Sequence, residues 1–184
     1  MTLLLGPTNL APKSSQVEVA RFRTAADLEA LLREHFPRAD VLIMAAAVAD
    51  YRPRPVDGKL RRREGLTLEL EPTPDLLAAC GRARRAGQML IGFALEPREG
   101  LMESAREKVA RKGLDMIVAN PLETMDATEI DAALISADGS VASAPGSMSK
   151  ESFAAWLLDR VESGVAADQR GARPAPTSGV ASSR

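Results

Sequence analysis

MLIGFALEPREGLMESAREKVARKGLDMIVA, residues 89–119, contains an apolar run, a helical pattern and a second apolar run. Met89–Ala94 and Asp115–Ala119 have the length and the continuous apolar character of strands that are buried on both faces. Between them a helix is predicted over Leu101–Lys112, and it ends at Gly113, a residue type that commonly terminates helices. A strand, a helix and a second strand in this order indicate a βαβ unit with parallel strands. The stretch therefore predicts an α/β fold.

The rest of the chain continues the same alternation of short apolar runs and helical patterns. We therefore expect a Rossmann-like parallel sheet flanked by helices. The further predicted strands are Thr2–Leu5, Val41–Val48, Ala132–Ser136 and the alternating Val17–Phe22, and the further predicted helices are Ala25–Phe36 after Thr24, a helix capped by Thr73 with Pro74 at its first position, and Lys150–Val161 after Ser149.

One segment interrupts this alternation. Lys59–Arg63 and Leu66–Glu71 are polar and strand-like and are separated by Glu64-Gly65, which predicts a protruding β-hairpin. Its second strand has an apolar stripe with no predicted helix to cover it. Because an exposed apolar edge usually binds a partner, we predict a dimer contact at this hairpin. The stripe consists of Leu66, Leu68 and Leu70.

The chain length of 184 residues suits one domain. We expect this domain at residues 1–163 and a disordered tail at residues 164–184, which has almost no apolar mass. The first residues already have a strand pattern, and a domain seldom begins inside a core strand. We therefore expect the front of the domain to be missing.

Composition excludes several classes of function. The 24 Lys and Arg residues balance 25 Asp and Glu residues, so the chain has no overall basic character for binding nucleic acid. No apolar run has the roughly 20 residues that a membrane span needs, and no signal peptide is visible. A single Cys and a single His make a zinc site on such ligands very unfavourable and fit a reducing cytoplasm.

Candidate functional side chains follow the predicted strands, because ligands of parallel sheets bind beyond the carboxyl ends of the strands. The alanines before Asp50 leave space for a flat ligand, and Asp50, Tyr51 and Arg52 then bring a carboxylate, a phenol and a guanidinium together. A small-residue strand under a helix, with Asp50 capping a turn, explains the same residues. Both interpretations stay open on the residues alone.

Other candidates lie at a helix start and on one helix face. The N–H groups of Thr73-Pro74-Asp75 can face a ligand, although an ordinary helix start also explains them. Lys108 and Lys112 share a helix face, where they meet either a triphosphate or solvent. The remaining candidates, each with an ordinary structural alternative, are Lys59 in a loop, Phe93 at a strand end and Asn120 before a proline.

The order of these signals is more specific than any one of them. Ala-Ala-Val-Ala-Asp-Tyr-Arg-Pro at residues 46–53 is followed by a lysine, Leu-x-Leu-x-x-Thr-Pro-Asp, Gly-Phe-Ala-x-Glu, Ala-Arg-x-Lys-x-x-x-Lys and Asp-x-Ile-Val-Ala-Asn. This series resembles bacterial phosphopantothenoylcysteine synthetase, the carboxy-terminal domain of the bifunctional coenzyme A biosynthesis flavoprotein. The resemblance extends from about Thr2 to Val161.

The resemblance implies a phosphopantothenate–cysteine ligase. In that family the carboxylate of 4′-phosphopantothenate attacks CTP, which gives an acyl-cytidylate and pyrophosphate, and the amine of cysteine then displaces CMP. Mg²⁺ is required, and no flavin is expected in this chain. A triphosphate carries about four negative charges, which three lysines and Mg²⁺ can offset.

The resemblance also implies roles for individual residues. Lys59 would close over the triphosphate, the backbone of Ala47 would lie near the acyl intermediate, and Asn120 matches the asparagine of the family motif; these three are the predicted catalytic residues. No metal ligand is implied. The implied nucleotide-binding residues are Ala45, Ala46, Asp50, Lys59, Pro74, Asp75, Leu76, Leu77, Phe93, Lys108 and Lys112.

The family's domain begins with a strand, a Gly-rich turn, a helix and a loop with a Ser-Gly-Lys-Met-Gly stretch, none of which occurs in this sequence. An inactive nucleotide-binding or dimerising remnant of the fold therefore stays open beside the ligase. A dinucleotide-dependent oxidoreductase has a similar sheet, but the sequence contains no GxGxxG. The expected partners are CTP, 4′-phosphopantothenate, cysteine and a second copy of the chain.

Overall fold

A computed structural model describes residues 1–54, 57–59 and 65–170 of the chain. Helices separate groups of strands along the chain, and strict alternation occurs from α2 through β6 and α3 to β7. The strands are β1 (Thr2–Leu5), β2 (Glu18–Arg21), β3 (Val41–Ile43), β4 (Tyr51–Pro53), β5 (Leu70–Pro72), β6 (Met89–Glu96), β7 (Met116–Pro121), β8 (Glu129–Ile130), β9 (Ala133–Ser136), β10 (Val141–Ser143) and β11 (Met148–Ser149). The helices are α1 (Ala25–His35), α2 (Leu76–Ala83), α3 (Leu101–Lys112) and α4 (Lys150–Arg170), and short 3-10 turns cover Phe36–Arg38 and Leu122–Thr124.

The central sheet has five strands in the order β10-β9-β7-β6-β3. β3, β6 and β7 are parallel, so the βαβ unit predicted from residues 89–119 is confirmed. β9 and β10 run antiparallel to their neighbours, and the sheet is therefore mixed rather than wholly parallel. The reason is the connection from β7 to β9, which has no crossover helix to return the chain to the starting edge.

The two predicted strands near the start of the chain, β1 and β2, form a separate parallel pair. The prediction of a strand over Val41–Val48 was too long, because β3 ends at Ile43 and residues 44–50 form no strand. Among the described residues, β3 has a strand partner on one side only, β6, and a hydrogen bond beyond the paired residues runs from the Met44 N–H to the Ile91 carbonyl at 2.9 Å. The alanines beyond it leave the sheet and begin the candidate site.

The start of α2 differs from the prediction by two residues. Asp75, not Thr73, caps the helix, because the Asp75 carboxylate accepts the Ala78 N–H at 3.0 Å. The N–H of Thr73 is donated instead to the carbonyl of Asp50 at 2.8 Å. Pro74 therefore precedes the cap and is not the first helical residue.

The second strand of the predicted hairpin, expected at Leu66–Glu71, is observed at Leu70–Pro72. β5 pairs antiparallel with β4, and Glu71 of β5 binds the guanidinium of Arg52 at 2.9 Å. Leu70 is thus paired with Pro53 of β4, and the predicted pairing with Lys59–Arg63 lies outside the described residues, because residues 60–63 are not among them. The apolar stripe of Leu66, Leu68 and Leu70 is exposed, at 57–63% of each residue's surface. Its role in dimerisation stays a prediction.

The core lies on both faces of the central sheet. α1, α2 and α3 cover one face, and the other is covered by α4 through Phe153, Leu157 and Val161. Leu90 and Ile91 of β6 point to opposite faces and are completely buried. Burial of each such side chain contributes about 1.5–3 kcal/mol. The central strands are thus a rigid support for the residues at their ends.

α4 continues to Arg170, beyond both its predicted end at Val161 and the predicted start of a disordered tail at Gly164. A Cβ on Gly164 would lie about 3 Å from the methyl groups of Met89 and Met116, so this turn packs directly on the sheet. Residues 171–184 lie outside the described residues. Within the described ranges, no helix combines the length and the hydropathy that crossing a bilayer requires.

Candidate functional site

The carboxyl ends of β3, β6 and β7 bring the segments with predicted site residues to one edge of the sheet. The hydrogen bond from Thr73 to Asp50 fixes the start of α2 beside the segment that follows β3. At the end of the β6–β7 ladder, Asn120 is paired in register with Leu95. Segments that are far apart in the sequence therefore meet at the edge where parallel sheets bind ligands.

Lys112, at the end of α3, binds the residue that caps α2. Its Nζ lies 3.2 Å and 3.1 Å from the two carboxylate oxygens of Asp75. Arg111 approaches the same carboxylate at 3.7 Å from the solvent side. Burial by itself would raise the pKa of Asp75, but the bond from the Ala78 N–H and the bond and charge of Lys112 outweigh it and lower the pKa. Asp75 is therefore an ionised partner of Lys112 at neutral pH.

One helical turn earlier, Lys108 makes an ion pair with Glu96, the last residue of β6. The same Glu96 oxygen accepts the hydroxyl of Ser104 at 2.9 Å. The hydrogen bond from Lys108 is the largest cause of a lowered pKa of Glu96, the bond from Ser104 adds to it, and burial opposes both. The sequence motif Gly-Phe-Ala-x-Glu contains Glu96, but our sequence reasoning gave this residue no role.

Ser104, Lys108 and Lys112 form one row on α3, because residues four apart lie above one another on a helix. The side chains of Lys108 and Lys112 are only 27% and 21% exposed. The alternative that they form a freely solvated helix face is therefore wrong. Two ammonium groups are held beside two carboxylates at the carboxyl edge of the sheet, which is an arrangement suited to polyanions.

A cavity of about 870 Å³ adjoins this edge. The alanine segment after β3 forms one wall through Ala46 and Ala47, and the end of β1 and the start of α1 form others. Its polar lining consists of side chains that can donate hydrogen bonds. Thr73 also lines the cavity and precedes Asp75, the partner of Lys112, by two residues. The polar lining residues are Thr8, Arg23, Thr24, Arg52 and Thr73.

Residues 1–165 match the family described as the DNA/pantothenate metabolism flavoprotein C-terminal domain. This chain belongs to that family. The match covers all of the central sheet, the alanine segment and both lysine pairs.

Two curated relatives and one solved structure illustrate the similarity. A cysteine/cysteine sulfinic acid decarboxylase from an unknown prokaryotic organism is 41% identical over 125 residues, which is 67% of this chain and 34% of the relative. The coenzyme A biosynthesis bifunctional protein CoaBC of Mycobacterium tuberculosis is 37% identical over 175 residues, 88% of this chain and 42% of the relative. The chain thus spans less than half the length of these relatives.

The solved structure is the C-terminal domain of a coenzyme A biosynthesis bifunctional protein CoaBC. It superposes with a TM-score of 0.75 at 32% identity, over 91% of this chain and 75% of that chain. The mixed sheet with its flanking helices is thus the fold of the DNA/pantothenate metabolism flavoprotein C-terminal domain family. The resemblance inferred from the order of motifs is confirmed at the level of the family.

Several predicted residues lie away from the lysine pairs. Phe93 is half-buried and packs on the α4 side of the sheet, whereas Lys108 and Lys112 approach from the α3 side. Asn120 lies on the same face of the sheet as its register partner Leu95. Its amide donates a hydrogen bond to the hydroxyl of Thr124 at 3.2 Å. Core packing and a turn, the ordinary alternatives for these two residues, fit these positions.

The remaining predicted residues fall into a buried group and an exposed group. Leu76 and Leu77 are buried in the core, so only their backbone can meet a ligand. Ala45, Ala46, Ala47, Asp50 and Lys59 are exposed. Over residues 1–54, 57–59 and 65–170, no group of three His, Cys, Asp or Glu side chains could hold a metal ion. The nucleotide-binding and catalytic assignments of all these residues stay predictions.

Proposed function

We propose that this chain is a phosphopantothenate–cysteine ligase domain of coenzyme A biosynthesis, working in the cytoplasm. It would activate 4′-phosphopantothenate with CTP and then form the amide with cysteine. The observation that carries the proposal is the pair of partly buried lysines at the carboxyl edge of the sheet, each bound to a carboxylate, together with a cavity lined by the alanine segment that follows β3. Family membership and the resemblance of the ordered motifs support the same reaction.

The triphosphate is assigned to the edge formed by α3 and the start of α2. Each ammonium group has three donors, and a carboxylate occupies only some of them, so donors remain for phosphate oxygens. Lys59 follows β4 and is exposed, and the proposal assigns it to a second side of the triphosphate. Positive charge on both sides of the triphosphate would stabilise the developing charge on pyrophosphate as it leaves.

The acid substrate is assigned to the cavity beside the alanine segment. Ala45, Ala46 and Ala47 have almost no side chain, so a substrate can approach their backbone closely. The attacking carboxylate is already ionised at neutral pH and needs no general base. Holding the carboxylate in line with the phosphorus it attacks would therefore contribute most of the acceleration.

Magnesium fits this edge only together with the nucleotide. Protein sites for Mg²⁺ commonly use one or two carboxylates together with substrate phosphates. The carboxylates at this edge are Asp75 and Glu96, and each already makes an ion pair with a lysine. Phosphate oxygens of the nucleotide would therefore have to complete a Mg²⁺ site here. When bound, Mg²⁺ would neutralise phosphate charge. Apart from Mg²⁺, the proposal requires no cofactor and no flavin.

The proposal includes a homodimer through the stripe of Leu66, Leu68 and Leu70, whose exposure leaves apolar area for a second copy. Leu68→Glu should convert the dimer to a monomer in light scattering. Leu158→Glu is the matched control, because Leu158 is 50% exposed on α4, away from the stripe. A dimer that survives Leu68→Glu would contradict this part of the proposal.

The ligase is tested by pyrophosphate release. The chain is incubated with CTP, Mg²⁺ and 4′-phosphopantothenate, and pyrophosphate is measured with and without cysteine. We expect pyrophosphate release that requires 4′-phosphopantothenate. Lys59→Ala should strongly lower the rate of this release and should change the midpoint of thermal unfolding only slightly. CTP binding without pyrophosphate release would favour the inactive remnant. Carbon dioxide release from cysteine sulfinic acid is measured in parallel, because one relative bears that decarboxylase name.

A further inference from the structure

At the proposed nucleotide site, Glu96 accepts hydrogen bonds from both Lys108 and Ser104. We propose that Glu96 is a positioning residue of the nucleotide site, which aims the ammonium group of Lys108 at the bound triphosphate. This inference rests on the proposed function, because it assigns Lys108 to a phosphate group. It adds a residue whose role is to orient Lys108, not to touch the substrate.

The geometry holds Glu96 at two points. Its carboxylate accepts hydrogen bonds from Lys108 and from the hydroxyl of Ser104, one helical turn before Lys108. The two donors approach from the same row of α3, while the backbone of Glu96 is fixed in β6 beside Pro121 of β7. A carboxylate bound in this way has little freedom to rotate. The position of the Lys108 ammonium group is therefore set by the sheet and not only by its own flexible side chain.

This restraint has a consequence for binding. A lysine loses much rotamer freedom when it is fixed, and a lysine that Glu96 already holds has lost that freedom before the nucleotide arrives. One donor of Lys108 goes to Glu96, and the others remain for phosphate oxygens. Pre-ordering of this kind improves affinity without adding a contact to the ligand.

The charge of Glu96 acts in the opposite direction, since a carboxylate near a triphosphate repels it. The pKa of Glu96 is lowered by its bond to Lys108, so this negative charge is present at neutral pH. Removal of the charge would therefore tighten binding if Glu96 only masked Lys108, and would weaken binding if Glu96 positions it. The sign of the change decides between the two roles.

The experiment is a calorimetric titration of the full chain with CTP and Mg²⁺. We expect Glu96→Gln to weaken binding about tenfold, because the freed lysine must then be ordered by the nucleotide itself. Glu96→Asp keeps the charge and should recover part of the loss. In a Lys108→Ala background, Glu96→Gln should have no further effect, since residues that act through one another are not additive. Glu107→Gln is the matched control, because Glu107 is exposed on the same helix, and it should change affinity less than twofold.

Other outcomes overturn the inference. Unchanged or tighter binding by Glu96→Gln would show that Glu96 does not position Lys108. An equal loss in both backgrounds would show that Glu96 does not act through Lys108. If Glu96→Gln does not fold, Ser104→Ala replaces it, because it removes the second bond and should weaken binding about twofold, again only when Lys108 is present. Wild-type chain that binds no CTP would overturn the proposed function itself, and this inference with it.

Discussion

The two ends of the central strands use the same chemistry for different purposes. At the amino ends, the buried carboxylate of Asp115 accepts the guanidinium of Arg84 at 2.7 Å and the backbone N–H of Leu90 at 2.8 Å. At the carboxyl ends, Glu96 and Asp75 are about a quarter to a third exposed, and they bind lysines. A planar guanidinium gives fixed geometry, whereas an ammonium group on a flexible chain can be rearranged by a ligand.

This difference shows which ion pairs hold the fold and which are available for binding. At the amino ends, Gln88 completes a closed network, because its amide donates to the carbonyls of Phe36 and Ala39 at 2.8 Å and 2.7 Å. None of the described residues has a buried side-chain polar atom without a partner. At the carboxyl ends, the paired lysines and carboxylates are partly open to solvent, with 21–35% of each side chain exposed.

The largest expected effect is at the amino ends. Asp115→Asn would leave the charge of Arg84 without a carboxylate in a mostly buried setting, so we expect a loss of about 3 kcal/mol in the free energy of unfolding. Urea unfolding measures this loss. Asp40→Asn is the matched control, because the Asp40–Arg85 pair is exposed and should contribute less than about 0.5 kcal/mol. Equal losses in the two variants would contradict the distinction between the two ends.

The next effect concerns how α2 is held against α3. A Cβ on Gly81 of α2 would lie 2.0 Å from the backbone carbonyl oxygen of Lys112. Because that oxygen cannot move without its helix, we expect Gly81→Ala to cost about 2 kcal/mol in the free energy of unfolding and to displace Lys112 from Asp75.

Gly164→Ala is the control for this prediction. The atoms nearest to its added Cβ are the flexible ends of Met89 and Met116, and alanine favours helix, so its stability should be unchanged or higher. Unfolding in urea compares the two variants. If Gly81→Ala is as stable as wild type, the close approach of α2 and α3 is not a constraint.

At the carboxyl ends the larger effect should be on binding and not on stability. Lys112→Ala removes a charge-assisted contact worth about 2 kcal/mol, so we expect CTP affinity to fall about 30-fold with little change in the unfolding midpoint. Arg111→Ala is the control, because Arg111 is 63% exposed and more distant from Asp75. Similar losses in both variants would indicate general attraction by positive charge and not a defined site.

Local sequence patterns predicted the strands and helices best where each element buries a continuous apolar face. β1 and α3 have the predicted bounds, because a short run of three leucines forms β1 and because Gly113 adopts a left-handed conformation at the end of α3. Pairing was harder to predict. The sequence of Ala133–Ser136 does not indicate that this strand runs antiparallel to β7, because the direction of a strand depends on the length and path of its connection.

Local sequence patterns are limited in the same way at the candidate site. The spacing of Lys108 and Lys112 predicted a shared helix face, but their partners could not be read from it, because Glu96 and Asp75 come from other elements. Phe93 lies near the end of the predicted strand Met89–Ala94, but β6 continues to Glu96 and its alternation turns Phe93 toward α4. Which face a strand residue takes depends on register, and register is fixed by the whole sheet.

The smallest expected effect is the pH dependence of the ion pair that Asp75 makes at the carboxyl ends. The folded pKa of Asp75 lies below its ordinary value of 3.8, so its ion pair stabilises the fold above that value. The stabilisation is lost as the pH falls through the lower folded pKa. Asp75→Asn keeps a good helix cap and removes the charge. We expect it to lower the free energy of unfolding at pH 7 by about 0.5 kcal/mol after solvent screening, with the difference shrinking as the pH falls below 3.8 and vanishing below the folded pKa.

Urea unfolding at a series of pH values measures this dependence, and Glu123→Gln serves as an exposed control in the 3-10 turn after β7. A difference that persists unchanged in acid would show that the bond from the Ala78 N–H, and not the charge, provides the stabilisation. Because Lys112 supplies part of the effect, Asp75→Asn should also change CTP affinity. Asp115→Asn should leave that affinity unchanged in the folded chain, which is the sharpest separation of the two ends.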